Sequence, residues 1–199
     1  MNKRIKISLE ARELIKAWAA ISLAFGILIH GGITGQGQSL VSSFAIAGLT
    51  VGLGFIAHEL SHRYFARKFG KHAEFRANNT MLLLAIIMSF FGFIIAAPGA
   101  VMISGFVNKK QSGIISSAGP AANLGLAIIF IPLIFVMPVI AFYGLMINAW
   151  LAAFNLIPFK GFDGRKVLDW SKPAYFVLLG IALALILLHS ILPNIMSIA

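Results

Sequence analysis

The chain has 199 residues, of which 59% are hydrophobic and 11% are charged. Soluble globular domains carry about twice that charged fraction, so the composition excludes an ordinary soluble domain and predicts an all-α polytopic membrane protein. The net charge of +10 is therefore better explained by basic loops beside a membrane than by nucleic acid. The chain has no cysteine, so a metal site has to use His, Asp or Glu.

Five apolar segments are long enough to cross about 30 Å of hydrocarbon. In chain order they are 17–33, 41–65, 117–137, 139–158 and 174–192. An amphipathic stretch precedes the first of them, and Glu10 and Glu13 in that stretch are interpreted as part of a solvated face. We expect a single membrane-embedded domain over 1–199, because the chain leaves no room for a separate soluble domain.

A sixth apolar stretch, 81–106, contains three glycines and a proline and ends in residues typical of extended structure. All sixteen lysines and arginines fall in four clusters, which are 3–16, 63–76, 109–110 and 160–172. The four clusters lie on one side of the membrane only if 81–106 dips in and returns. The positive-inside bias therefore predicts a re-entrant hairpin and a cytoplasmic N-terminus. Non-helical backbone at membrane depth also requires a cavity or a protein shield beside it.

The segment His58-Glu59-Leu-Ser-His62 is an H-E-x-x-H motif at the end of an apolar span. Two imidazoles spaced i, i+4 lie on one face of a helix and can bind one metal ion. Glu59 between them can then take a proton from the attacking water. Ionisable groups at this depth are costly and usually functional, which favours a metal site over interfacial hydrogen bonding.

A catalytic zinc site usually needs a third protein ligand. The candidates are Asp163, His30, His72 and His189. Asp163 is favoured because it lies at the cytoplasmic end of its span, at a depth similar to that of His62. The alternative reading of Asp163 is a carboxylate paired with neighbouring Lys160, Arg165 or Lys166.

Three motifs together resemble the site-2 protease family of intramembrane zinc metalloproteases, over roughly 41–170. The first is H-E-x-x-H at 58–62, and the second is G-P-x-x-N at 119–123. The third matches N-x-x-P-x(4)-D-G through Asn155, Pro158, Asp163 and Gly164.

The resemblance implies that Asp163 is the third ligand of one Zn²⁺ per chain and that Asn155 helps hold substrate. It also implies that 97–104 forms β-structure beside the cleft. The expected function is hydrolysis of a peptide bond within or near the transmembrane segment of a membrane-protein substrate. The expected location is the cell membrane, with the mouth of the active site on the cytoplasmic side.

Two other functions are considered beside the protease. One is a membrane metal transporter with the same three ligands, disfavoured because no internal repeat is apparent. The other is an inactive relative that binds membrane helices without cutting them. Asn123 and Asn148 are interpreted as interhelical hydrogen-bonding groups, and Gly48 and Gly52 as a helix-packing pair. Gly54 is interpreted as leaving room for a substrate backbone.

Overall fold

The computed structural model describes residues 8–94 and 98–196, with side chains up to 192. Eight helices and two strands follow one another over these ranges. In chain order they are α1 Leu9–His30, α2 Leu40–Ala47, α3 Leu53–Lys68, β1 His72–Ala77, α4 Asn79–Phe90, β2 Gly99–Ser104, α5 Lys109–Leu133, α6 Pro138–Asn155, α7 Asp163–Trp170 and α8 Lys172–Met196. A π-helical segment, Gly48–Gly52, joins α2 to α3.

Within residues 8–94 and 98–196, five helices are long and apolar enough to span a membrane, which confirms an all-α polytopic fold. They are α1, the continuous helix Leu40–Lys68 formed by α2, the π-helical segment and α3, and then α5, α6 and α8 up to Leu192. The first span differs from the expectation in one respect. The amphipathic stretch does not precede it but forms its first turns, beginning at Leu9. Ser8 caps this helix by accepting a hydrogen bond from the backbone N–H of Ala11.

The segment 81–106 leaves the sheet and returns to it. Helix α4 runs along α1 until Phe90 meets Gly32 beyond the end of α1. The chain then comes back to β2, and the N–H of Asn78 donates to the carbonyl of Pro98 at 2.9 Å. Both ends of the segment therefore lie at the same end of the bundle, as a re-entrant hairpin requires. The expected β-structure covered 97–104, and residue 97 of that range lies outside the described residues.

The two strands pair antiparallel, with His72 opposite Ser104 and Ala77 opposite Gly99. This small sheet lies at the end of the bundle where α1 begins and α3 ends. Glu10 and Glu13 do not form a solvated face, because their carboxylates accept hydrogen bonds from backbone N–H groups of β1. Lys3, Arg4 and Lys6 of the first basic cluster lie outside the described residues.

Close packing of α1 against the π-helical segment fixes the path of the second span. Gly48 and Gly52 face Trp18, whose indole N–H donates to the carbonyl of Gly48 at 3.2 Å. A Cβ at Gly52 would come within 2.5 Å of the Trp18 Nε1 and 2.7 Å of the Ser22 hydroxyl. The interpretation of this glycine pair as a helix-packing site is therefore correct.

Candidate metal centre and catalytic cavity

His58, Glu59 and His62 are buried on α3, with exposed fractions of 6%, 8% and 8%. The i, i+4 spacing brings the two imidazoles to one face of the helix, where their Nε2 atoms lie 2.9 Å apart. Helix α3 continues for six residues beyond His62, to Lys68. The pair therefore lies inside the bundle, but close to the end where the basic residues collect.

Each imidazole is held through its other ring nitrogen. Nδ1 of His58 lies 2.7 Å from the Asn123 Oδ1, and Nδ1 of His62 lies 2.7 Å from the carbonyl of Ile115. Both partners are acceptors, so both Nδ1 atoms carry the proton. The Nε2 lone pairs of both rings are then directed at the same point, as in ligands of a metal ion.

Asp163 reaches this point from the first residue of α7. Its Oδ2 lies 3.3 Å from the Nε2 of His58 and 3.0 Å from the Nε2 of His62. Among the described residues, the ion-pair contacts of Asp163 are with these two histidines and not with Lys160, Arg165 or Lys166, and Arg165 binds Asp169 instead.

The turn between α6 and α7 aims the Asp163 carboxylate back into the bundle. Helix α6 ends at Asn155, and Gly161 supplies the left-handed backbone with φ of +104°. Gly164 is needed for packing rather than for a left-handed backbone. A Cβ at Gly164 would lie 2.1 Å from the carbonyl oxygen of Leu156, so its missing side chain lets α7 pack against the end of α6.

The donor set fits a zinc ion. Three acceptor atoms, two neutral imidazole nitrogens and one carboxylate oxygen, converge with separations of 2.9–3.3 Å. Without a cation their lone pairs and negative charge would repel one another. A tetrahedral zinc with bonds of about 2.0–2.1 Å has ligand–ligand edges of about 3.3 Å. Among the described residues, these three form the group of His and acidic side chains that converges closely enough to hold a metal.

The other histidines considered as third ligands lie elsewhere. His30 ends α1 and contacts the carbonyl of Gln38 at 2.7 Å. His72 begins β1 and lies 3.5 Å from Glu74. His189 is on α8, where its ring packs on Phe142 with centroids 4.0 Å apart.

A cavity of about 530 Å³ adjoins the three candidate ligands His58, His62 and Asp163. Glu59 lines it beside His58 and His62, and Asn155 lines it from α6. The side-chain N–H of Asn155 donates to the carbonyl of Leu151 at 2.9 Å. Residues 99–101 and 103 of β2 form another part of the wall. The cavity thus brings the potential base, the potential ligands and a strand edge into one space.

Sequence reasoning missed what Gly119 and Asn123 do here. A Cβ at Gly119 would lie 2.4 Å from the Nε2 of His62 and 2.6 Å from that of His58. Asn123 joins α5 to the zinc-motif helix, since its Nδ2 donates to the carbonyl of Gly54 at 3.0 Å. It also donates to the Asn148 Oδ1 at 3.1 Å. The G-P-x-x-N motif was the available signal, because it contains both residues.

Gly54 does not leave room for a substrate. A Cβ at Gly54 would lie 2.3 Å from the Asn148 Oδ1 and 3.2 Å from the Asn123 Nδ2. The space beside Gly54 is therefore filled by the asparagine pair. The interhelical interpretation of Asn123 and Asn148 is correct, and Asn123 in addition holds His58.

Two curated proteins resemble this chain along much of its length. The "Putative zinc metalloprotease MJ0611" of Methanocaldococcus jannaschii is 37% identical over 171 residues, which cover 82% of this chain and 89% of that protein. The "Putative zinc metalloprotease Rip2" of Mycolicibacterium smegmatis is 32% identical over 134 residues, which cover 56% of this chain and 51% of that protein. No protein-family model matches the chain, and no solved structure does.

Proposed function

Because this chain belongs to the site-2 protease-like family of zinc metalloproteases, we propose that it is a zinc endopeptidase acting inside the membrane. Its substrates would be transmembrane proteins, cut within or near their membrane-spanning segments. The observation that carries the proposal is the convergence of His58, His62 and Asp163 beside Glu59, within a bundle of membrane-length helices.

Zinc held by His58, His62 and Asp163 would acidify a bound water and polarise the scissile carbonyl. Glu59 takes the proton of the attacking water as the new C–O bond forms. It then returns the proton to the leaving amine as the C–N bond breaks. Asn123 and Ile115 keep both imidazoles in the Nδ1–H tautomer throughout.

The substrate has to present an unwound strand, because a transmembrane helix hides its amides in internal hydrogen bonds. Strand β2 lies in the cavity wall and offers backbone groups with which such a strand can pair. Asn155, which lines the same cavity from the end of α6, then helps to hold the extended chain. We further propose that the protease domain is the single unit 1–199, with its catalytic core over about 41–170.

We infer that the mouth of the cavity opens toward the cytoplasm and that the protein resides in the cell membrane. The described parts of the four basic clusters lie on elements that meet at the sheet end of the bundle, where Ile115 of α5 packs with Ala66 and Ala73 and Gly113 lies against Trp170 of α7. Positive residues favour the cytoplasmic side. Water then reaches Glu59 from that side.

The test measures zinc and proteolysis together in detergent-purified protein. We expect about one zinc per chain in the wild type and in Glu59→Gln, with cleavage of a model single-span peptide by the wild type alone. Asp163→Asn should lose most of the zinc and all cleavage. Asp169→Asn, an exposed carboxylate on the same helix, serves as the matched control and should retain both.

Cleavage by Glu59→Gln at the wild-type rate would remove Glu59 from the role of base. A wild type that binds zinc but cuts no peptide would favour the inactive relative. Ion flux across the membrane of liposomes that contain the wild-type protein would favour the metal transporter instead.

A further inference from the structure

The outer edge of β1, the edge that faces away from β2, is closed by acidic side chains of α1. The N–H of Phe75 donates to the Glu10 Oε1 at 3.1 Å, and the N–H of Ala77 donates to the Glu13 Oε2 at 3.2 Å. In an antiparallel pair, every second residue directs its backbone groups away from the partner strand. The two carboxylates therefore take the amides to which a third strand would otherwise pair.

The same edge is closed further along by the helix that carries the zinc motif. Arg67 of α3 donates to the carbonyl of Ala73 through Nε at 3.1 Å and Nη2 at 2.8 Å. Glu10 lies 3.2 Å from the guanidinium of Arg63 and 3.6 Å from that of Arg67. Arg63 directly follows His62, so this ion-pair cluster ties α1 and the sheet to the metal-binding helix.

The register of the sheet identifies the edge that remains open. Ala73, Phe75 and Ala77 face Ile103, Val101 and Gly99 across the pair. By the same alternation, these three residues of β2 direct their backbone groups away from β1. They also line the catalytic cavity. The sheet thus offers an incoming strand one edge, and that edge lies beside the metal ligands and beside Glu59, whose carboxylate approaches the backbone N–H of Val101.

We propose that Glu10 and Glu13 are positioning residues that select the peptide bond to be cut. They close the outer edge of β1, so a substrate strand pairs only with β2. They also hold the sheet against α3, so the strand has one register relative to His58 and His62. This inference rests on the proposed function, since it takes the strand paired with β2 to be the substrate.

The register of the sheet predicts where the substrate would be cut if the sheet were misplaced. A strand that slips by one residue turns every side chain to the opposite face, whereas a slip of two residues preserves the facing pattern. If the sheet loses its attachment to α3, cuts should therefore appear two residues away from the normal site. A general loss of stability would lower the rate without producing a second site at that spacing.

The first experiment maps cleavage products by mass spectrometry for Glu10→Ala/Glu13→Ala. The probe is a single-span peptide of Leu and Ala with a central Gly-Gly pair in liposomes. We expect about one zinc per chain, a fall in kcat/KM on the order of tenfold from the lost charge-assisted hydrogen bonds, and additional cuts two residues away. Glu74→Ala removes a half-buried carboxylate of β1 that binds Arg76, and it should keep the single site.

A second variant separates the two roles of Glu10. Glu10→Gln keeps an oxygen that can accept from Phe75 but loses the attraction to Arg63 and Arg67. We expect it to give fewer secondary cuts than Glu10→Ala. Equal products from wild type, Glu10→Gln and Glu10→Ala/Glu13→Ala, with zinc retained, would overturn the proposal. Loss of zinc in these variants would also overturn it, because the carboxylates would then serve the metal site or the fold.

Cross-linking tests the register without requiring cleavage. The chain contains no cysteine, so Met102→Cys on the exposed face of β2 provides a unique thiol in a Glu59→Gln background. Peptides with one cysteine at successive positions should cross-link mainly at one position. Adding Glu10→Ala/Glu13→Ala should create a second preferred position two residues away.

The cross-linking result separates this inference from the proposed function. A wild type that cuts no peptide would contradict the protease, while the change in cross-link position would still support the role of Glu10 and Glu13. Cleavage by the wild type with an unchanged cross-link pattern in the variant would contradict only the positioning role. No cross-link at any peptide position would show that no strand pairs with β2, which overturns the inference.

Discussion

The Nδ1 of His58 donates to the Oδ1 of Asn123 at 2.7 Å, across 65 residues of sequence. The orientation of the Asn123 side-chain amide is determined by its nitrogen, since Nδ2 donates to the carbonyl of Gly54 and to the Oδ1 of Asn148. Asn148 in turn donates to the carbonyl of Gly144 at 2.9 Å. In this series His58 donates to Asn123, Asn123 to Asn148 and Asn148 to Gly144. The amide oxygen of Asn123 can therefore only accept from His58, which places the proton of His58 on Nδ1.

Asn123→Ala should weaken zinc binding by about tenfold to a hundredfold, the usual effect of losing a partner of a metal-binding histidine. The substitution leaves the Nδ1–H of His58 without its acceptor and frees the ring to rotate. Zinc affinity measured by competition with a chelator checks this. Asn148→Ala removes a group one step further from the metal, and it should weaken binding less. An unchanged affinity in Asn123→Ala would contradict the orienting role.

Gly119→Ala should abolish zinc binding, because its Cβ would lie within 2.6 Å of both Nε2 atoms. Gly125→Ala on the same helix is the matched control, since a Cβ there meets nothing within 4 Å. Both changes replace glycine by alanine in α5, so they alter helix propensity equally. Zinc content measured side by side should separate them. Equal zinc content would show that α5 moves away from the imidazoles without loss of the site.

Proline substitutions in β2 should have different effects at neighbouring positions. Met102 faces Glu74 and directs its N–H toward β1, whereas the N–H of Ile103 belongs to the open edge. Ile103→Pro should therefore slow peptide cleavage while zinc and the sheet remain. Met102→Pro should disrupt the sheet itself.

Ile103→Ala is the control for the open edge, because it removes the side chain but keeps the N–H. Its kcat/KM on the Leu-Ala peptide should exceed that of Ile103→Pro. Amide hydrogen exchange of β1 should reveal whether the sheet survives each proline. If Ile103→Pro cut as fast as Ile103→Ala, pairing at this amide would not contribute to substrate binding.

Gly52→Ala should destabilise the bundle by about 1–3 kcal/mol, the typical cost of overpacking a close contact. The new Cβ would meet Trp18 and the buried hydroxyl of Ser22. Gly180→Ala in α8, where a Cβ meets nothing within 4 Å, should be neutral or slightly stabilising. Thermal unfolding in detergent compares the two. A melting temperature of Gly52→Ala equal to that of the wild type would contradict the close packing described for α1.

The parts of the fold and site that depend on local spacing could be predicted from the sequence. The apolar spans follow from run length, and the shared face of His58 and His62 follows from the helical repeat. The return of 81–106 to the end of the bundle from which it starts agrees with the distribution of basic residues, whose effect on topology is general. Asp163 lies 101 residues from His62, and it was assigned through its motif and its depth rather than through any periodicity.

Contacts between a side chain and a distant backbone group could not be predicted in this way. Glu10 and Glu13 bind amides of β1 that lie 65 and 64 residues away, and any residue other than proline offers such an amide. A pair of acidic residues among bases on an amphipathic helix has the same pattern whether it faces water or a strand. The space beside Gly54 was misassigned for a similar reason, since the asparagines that fill it come from two other helices.

The π-helical segment Gly48–Gly52 has a consequence for the angular phase of the second span. A wider turn accommodates one more residue than an α-helical path of the same length, and each residue advances a helix by about 100°. The face of this span that contacts Trp18 and the face that carries His58 are therefore rotated about the helix axis, relative to each other, by an angle that a regular α-helix would not give. A one-residue deletion at Leu49 that restored regular α-helix would rotate one of these two faces by roughly a quarter turn relative to the other. The bundle could then keep its contact with α1 or its metal ligands in place, but not both.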